Sequence, residues 1–216
     1  MQSPIALSLE DAEQTNSGAA ALTFQYGGRR PACVRDSGHG TMQVHFVGSQ
    51  APLLLVGSQQ FQMQQFHFHA PSEHSLDGTR SAMEVHMVHR DTYSGQLLVV
   101  ATLVRDRKAA QPNPALTAAL QYVPRRKDGA GDDSSRESVD IPDGVDASWL
   151  LPKLHGVYMY SGSLTTPPCA ESVMWCVHDA TIEVPPQQVL AFSKQFGSNA
   201  RPLQARNGRR LTYRLI

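Results

Sequence analysis

The chain has 216 residues, and its 19 Lys and Arg are balanced by 19 Asp and Glu, for a formal net charge of zero at pH 7. That length suits one packed domain, and the balanced charge excludes the basic footprint of a nucleic-acid binder or an anionic-membrane binder. No apolar run approaches the roughly 20 residues of a membrane span, and no signal-peptide core is visible, so neither nucleic acid nor membrane is expected as a partner.

In chain order, period-two alternation or β-branched and aromatic enrichment predicts strands at 22–26, 41–47, 60–69, 83–90, 97–104, 156–160, 172–177 and 210–216. In 41–47, Met42, Val44 and Phe46 share one face, while Thr41, Gln43 and His45 share the other. Two helices are predicted. One spans 114–122, with Leu116 and Leu120 four apart; the other spans 185–196, opening on prolines and continuing with Val189, Phe192 and Phe196. Residues 125–146, rich in Gly, Asp, Ser and charge, read as an exposed loop. No repeat or boundary divides residues 1–216, so the expectation is one mostly β domain: a mainly antiparallel sheet with short peripheral helices. Cys33, Cys169 and Cys176 form neither a CxxC pair nor an even disulfide set, and read as reduced thiols.

The chemistry concentrates in Gln65-Phe66-His67-Phe68-His69 and Glu84-Val85-His86-Met87-Val88-His89. On a strand, Gln65, His67 and His69 point together while the two phenylalanines point oppositely. Two His Cα atoms at i and i+2 lie about 6.6 Å apart, which two rings can bridge onto one ion. Taken alone, such a pair reads equally as a solvated polar stripe. A second strand alongside adds Glu84 and His86 on the same face, while His89, an odd number of residues from His86, faces away and is not expected as a ligand. Three neutral nitrogens plus an open position suit a catalytic zinc, and Gln65 and Glu84 can hold the ring nitrogens that face away from the metal.

These two runs, with Gln2-Ser3-Pro4-Ile5, Gly38-His39-Gly40, Ser72-Glu73-His74, Gly162-Ser163-Leu164-Thr165-Thr166-Pro167-Pro168, Trp175 and Asn199-Ala200-Arg201-Pro202, resemble the α-class carbonic anhydrases, in the family's order and along nearly the whole chain. The resemblance implies a large, twisted, mainly antiparallel sheet with a cleft reaching down to Zn2+. It implies His67, His69 and His86 as ligands, with Gln65, Glu84 and the Asn199 carbonyl holding their outer nitrogens. The activity implied is reversible hydration of CO2 to bicarbonate and a proton, by attack of zinc-bound hydroxide. Thr165 is then the residue that orients the hydroxide, with Glu73 accepting the Thr165 hydroxyl proton, and His39 is the proton shuttle. Outside the resemblance, Thr165 and Thr166 read as turn residues before prolines, and His39 as an ordinary exposed turn residue.

Val88, Val99, Leu164, Val173 and Trp175 match the family's apolar wall for CO2, although by composition each is an ordinary core residue. Val88 has separate support, since strand parity puts it on the Glu84 and His86 face. Thr166 lines the same pocket and, with Gln43, resembles residues that organise its water; His74 and Tyr160 resemble further members of that network. Arg201 resembles a structural anchor. CO2 and bicarbonate are the implied partners, with sulfonamide or anion inhibitors at zinc and a monomer or homodimer as the assembly. Rival readings are a zinc esterase or hydrolase for a bulkier substrate, and a non-catalytic carbonic anhydrase-like binding protein.

The chain departs from the family pattern at its start, where only Met1 stands in place of an aromatic-rich segment. The departure implies lower stability and a wider cleft mouth. In secreted and bacterial members a Cys at the Cys169 position pairs with one in that segment, which implies an extracytoplasmic parent and no Cys33–Cys169 bridge. Ala70 replaces a common Trp and Ser37 a usual Asn, as in bacterial or algal relatives; Ser37 bears on shuttle rate.

Overall fold

The computed structural model describes residues 1–15, 20–48, 50–124, 138–153 and 156–216. Its strands are β1 (Ala6–Leu7), β2 (Glu13–Gln14), β3 (Leu22–Gln25), β4 (Arg30–Asp36), β5 (Met42–Phe46), β6 (Leu53–Val56), β7 (Gln59–His69), β8 (Ser75–Leu76), β9 (Met83–Asp91), β10 (Leu97–Asp106), β11 (Ser138–Val145), β12 (Gly156–Ser163), β13 (Glu171–Val184) and β14 (Thr212–Leu215). Two helices, α1 (Pro114–Gln121) and α2 (Pro186–Phe196), and a 3-10 turn at Ala147–Leu150 complete it.

Twelve strands form one sheet, in the order β11-β4-β5-β7-β9-β10-β13-β12-β14-β2, with β6 pairing β7 and β3 pairing β6. Most ladders are antiparallel; β10 with β13 and β14 with β2 are parallel, as is the separate pair β1 with β8. Register sets the chemistry, because directly paired residues share a face. One row across the sheet reads Gln43, His67, His86, Ala101, Val177 and Tyr158. The next reads His45, Gln65, Val88, Val99, Trp175 and Tyr160. Polar residues from β5, β7 and β9 thus sit beside an apolar field from β10, β12 and β13, on one face.

The opposite face is the larger core. Phe66, Phe68, Val85, Met87, Leu98, Val100 and Cys176 are buried there, beneath α1 and α2. Phe192 of α2 packs on Phe68, with ring centroids 6.3 Å apart. Asn113 caps α1, accepting from the Ala115 and Leu116 N–H groups, and its own N–H donates to Gln188 Oε1 of α2 at 2.8 Å. Burying the phenylalanines of β7 behind the sheet holds its histidines forward. Each such ring is worth about 1.5–3 kcal/mol of burial.

Each predicted strand and helix is present. The 172–177 run extends to Val184, and 156–160 to Ser163. The exposed-loop reading of 125–146 is corrected in its second half. Residues 125–137 lie outside the described residues, but Ser138–Val145 is a strand pairing antiparallel with β4, and Ala147–Leu150 is a 3-10 turn. Only Ile141 and Val145 of β11 are buried, so this edge strand carries the polar residues, Pro142 and Gly144 that suggested a loop. Sequence patterning also misses β4 and β6. Ala32, Cys33 and Val34 are consecutively buried, which abolishes alternation, and β6 is four apolar residues between Pro52 and Gly57.

Candidate metal centre and its cleft

His67 and His69 project from β7 and His86 from β9, where His67 and His86 are directly paired. Each ring offers one nitrogen, and these three atoms all lie within 4.8 Å of one another. The ring centroids are 4.6 to 5.3 Å apart, and all three side chains are buried. The outer nitrogens are occupied. His67 Nδ1 donates to Gln65 Oε1 at 2.8 Å, His69 Nδ1 to the Asn199 carbonyl at 3.3 Å, and His86 Nε2 to Glu84 Oε1 at 2.9 Å. By elimination, the inward atoms are Nε2 of His67, Nε2 of His69 and Nδ1 of His86. His69 Nε2 is buried with no hydrogen-bond partner. A buried, orphaned nitrogen among two others is what a metal would satisfy, and three imidazoles form a donor set suited to zinc.

Electrostatics favour neutral rings at two of the three positions. Burial pulls His67 well below the usual histidine range, helped by the neighbouring His69 and His86. Burial, then His86, pulls His69 down to about 4. His86 differs: burial pushes it down, but the carboxylates of Glu84 and, behind it, Glu73 together outweigh burial and hold it above its ordinary value. Glu84 itself is buried, which alone would raise it, yet His74 and His86 hold it well below the carboxylate range. Its Oε2 accepts the Glu73 and His74 N–H groups, each at 2.8 Å, and its Oε1 also accepts His74 Nδ1 at 2.6 Å. A fixed anion behind His86 raises that ring's basicity as a donor.

The chain continues outward from there. Tyr160 Oη lies 2.7 Å from His74 Nε2 and 3.0 Å from Ser3 Oγ. Ser3 Oγ accepts the Ser163 N–H, Arg209 lies over the Tyr160 ring, and Arg201 Nη1 donates to the Ser3 carbonyl at 2.8 Å. His74 and Tyr160, both buried, therefore buttress Glu84 from inside the protein. Ser3 and Arg209 were not singled out from the sequence as site residues, because nothing in local patterning links residues so far apart along the chain.

Glu73 is fully buried, and its Oε1 accepts the Arg201 N–H at 2.7 Å. Its Oε2 lies 3.9 Å from His86 Nδ1 and has no hydrogen-bond partner. Thr165 is buried in the loop between β12 and β13 that also carries Leu164 and Thr166. The expected hydrogen bond from the Thr165 hydroxyl to Glu73 is not made; Arg201 holds one carboxylate oxygen and the other is unpartnered. Val88, Val99, Leu164, Val173 and Trp175 do come together, in one apolar cluster beside the histidines. Val88 and Trp175 flank Val99 across β9, β10 and β13, and the indole N–H donates to the Ser163 carbonyl. Gln43 lies opposite His67, and its Oε1 accepts from His45 Nε2 at 2.9 Å, a partner the sequence reading passed over. His39 is exposed on a turn between Gly38 and Gly40, both with positive φ. His89 faces the opposite core, with Nε2 2.6 Å from Tyr26 Oη. Cys33, Cys169 and Cys176 are free thiols.

Residues 1–215 match the family model described as eukaryotic-type carbonic anhydrase. A carbonic anhydrase of Nostoc sp. is 38% identical over 209 residues, covering 96% of this chain and 74% of the relative. One from Pectobacterium carotovorum is 37% identical over the same share of this chain and 78% of its own. Carbonic anhydrase Cah3 from Chlamydomonas reinhardtii, solved in complex with acetazolamide, has a TM-score of 0.84 at 37% identity, covering 98% of this chain and 90% of that one. The α-carbonic anhydrase of Thermovibrio ammonificans, solved with sulfanilamide, has a TM-score of 0.82 at 32% identity, covering 98% and 86%. With its fold, histidine cluster and full-length match in agreement, the chain belongs to the eukaryotic-type, or α-class, carbonic anhydrase family and is an enzyme of that family.

Proposed function

We propose that the enzyme hydrates CO2 reversibly to bicarbonate and a proton at a zinc ion held by His67, His69 and His86. The observation that carries this reading is the convergence of three buried imidazoles whose outer nitrogens are each held by an acceptor, with His69 Nε2 left orphaned. Zinc held there supplies a Lewis acid that makes water nucleophilic near pH 7, a magnitude established for carbonic anhydrases as a class rather than derived from this chain.

The protein's own residues do the rest. Val88, Val99, Leu164, Val173 and Trp175 give an apolar, linear molecule a surface without hydrogen-bond demands, beside the ligands. Thr165, buried in the loop between β12 and β13, orients the attacking oxygen through its hydroxyl. His39, exposed at the turn, carries the released proton to buffer, a task suited to an imidazole near neutrality. Thr166 and Gln43 orient the water between. Sulfonamides, which the structures of two relatives contain, bind at the same centre.

Stopped-flow CO2 hydration with and without a chelator tests the reading, alongside His67→Ala. Chelation and the substitution should each abolish both zinc and activity. CO2 hydration retained by zinc-free His67→Ala would reject it.

A further inference from the structure

Asn199 follows α2 and belongs to no strand, yet it bonds both to the end of β7 and to the turn that carries His39. Its N–H donates to the Ala70 carbonyl at 3.1 Å and its Oδ1 accepts the Ala70 N–H at 2.9 Å, so it is docked on the residue after His69. Its carbonyl accepts from His69 Nδ1 at 3.3 Å. The remaining donor, Nδ2, reaches the Gly40 carbonyl at 3.0 Å and the Phe68 carbonyl at 3.3 Å. Gly40 is the residue after His39. The His39 turn is otherwise tied to itself: Ser37 Oγ accepts the His39 and Thr41 N–H groups, and Asp36 Oδ1 accepts that of Gly38. Thr41 Oγ1 anchors the end of the turn on the Phe68 carbonyl at 2.7 Å. Among the described residues, the Asn199–Gly40 bond is the one hydrogen bond leading from residues 38–40 to the body of the protein. Glycines on both sides give His39 a backbone with wide conformational freedom, so one bond at Gly40 removes much of it.

We propose that the Asn199 side chain is a positioning residue that sets where His39 stands, by tying its turn to the same residue whose carbonyl holds the ligand His69. The proposal rests on the reading of His39 as the proton relay. Relay through intervening water depends steeply on where the imidazole stands, and relay follows loss of bicarbonate. Loosening the turn therefore lowers kcat and leaves kcat/KM, which covers steps up to product formation.

The test uses Asn199→Ala, which removes all three side-chain hydrogen bonds, and Asn199→Asp, which keeps the Ala70 contact but turns an oxygen toward two carbonyls. His39→Ala is measured beside them. In weak buffer, kcat should fall about 3- to 10-fold in both Asn199 variants while kcat/KM stays within about twofold, and concentrated imidazole should restore kcat. In metal-free protein, amide exchange at residues 38–41 should quicken, with little change elsewhere in the sheet. A fall of kcat and kcat/KM together, with weakened zinc affinity, would overturn the proposal by placing the effect at His69. Unchanged exchange at 38–41 would overturn it too. If His39→Ala leaves kcat intact, the relay reading fails and exchange alone judges the clamp: faster exchange confined to 38–41 supports it, and no change rejects it.

Discussion

Glu84 is the residue on which the centre turns. One carboxylate serves four donors from three residues, and both its oxygens are used twice. In Glu84→Gln a single amide oxygen remains for four N–H groups, and the new NH2 confronts donors on one side. His86 loses the anion that raises its basicity, so zinc affinity should fall about 10- to 100-fold, read by chelator competition. Unchanged affinity would mean that Glu84 serves only packing. Lower pH should weaken binding in the parent enzyme, because His86, held above its ordinary value, must surrender a proton to bind metal. This residue was readable from sequence as a carboxylate two positions from a histidine on one strand face. Ser3, Arg209 and the side chain of Asn199 were not, since each meets its partners only through long-range closure of the fold.

At the scale of elements, β7 and β9 are a two-faced device. Alternate residues put imidazoles forward and phenylalanine, valine and methionine behind, so the pairing of His67 with His86 follows from burying Phe66, Phe68, Val85 and Met87. That is why alternation in these two runs, taken together, pointed to the centre in the sequence. Of the strands it missed, β4 is buried at three consecutive positions, β6 is four apolar residues in a row, β11 is buried only at Ile141 and Val145, and β1, β2 and β8 are two residues long. β12 makes a different demand. A Cβ at Gly162 would overlap Ser3 Oγ and come within 2.9 Å of Tyr160 and 3.2 Å of Trp175. Gly162→Ala should therefore push Ser3 out of its seat and cost about 1–3 kcal/mol in urea unfolding. Adding Ser3→Gly to that variant should recover part of the loss; no recovery would place the strain elsewhere.

Over the whole molecule, the sheet separates the buried cluster of His67, His69 and His86 on one face from His89 with Tyr26 on the other. His89 is enclosed, stacked on Tyr26 with ring centroids 5.6 Å apart, and burial pulls it down to about 4. Between its unfolded value of 6.5 and about 4, the unfolded chain binds a proton that the folded one refuses, so stability must fall as pH drops through this window. The contribution amounts to about 2 kcal/mol by pH 5. His89→Gln keeps a polar partner for Tyr26 without the titration. Metal-free parent and variant should therefore differ in slope, the variant losing less stability between pH 7 and 5 by urea midpoint. Parallel slopes would remove His89 from the acid response.

The bonds from Arg201 to Glu73, from Arg209 to Gln2, and from Asn199 to Gly40 all join late residues to early ones. A nascent chain emerging from the ribosome carries its three imidazoles long before these braces exist. Metal capture thus becomes a closing event of synthesis: chains halted before Asn199 should bind zinc poorly however well their hairpins form, and should remain exposed to proteases until the last segment arrives.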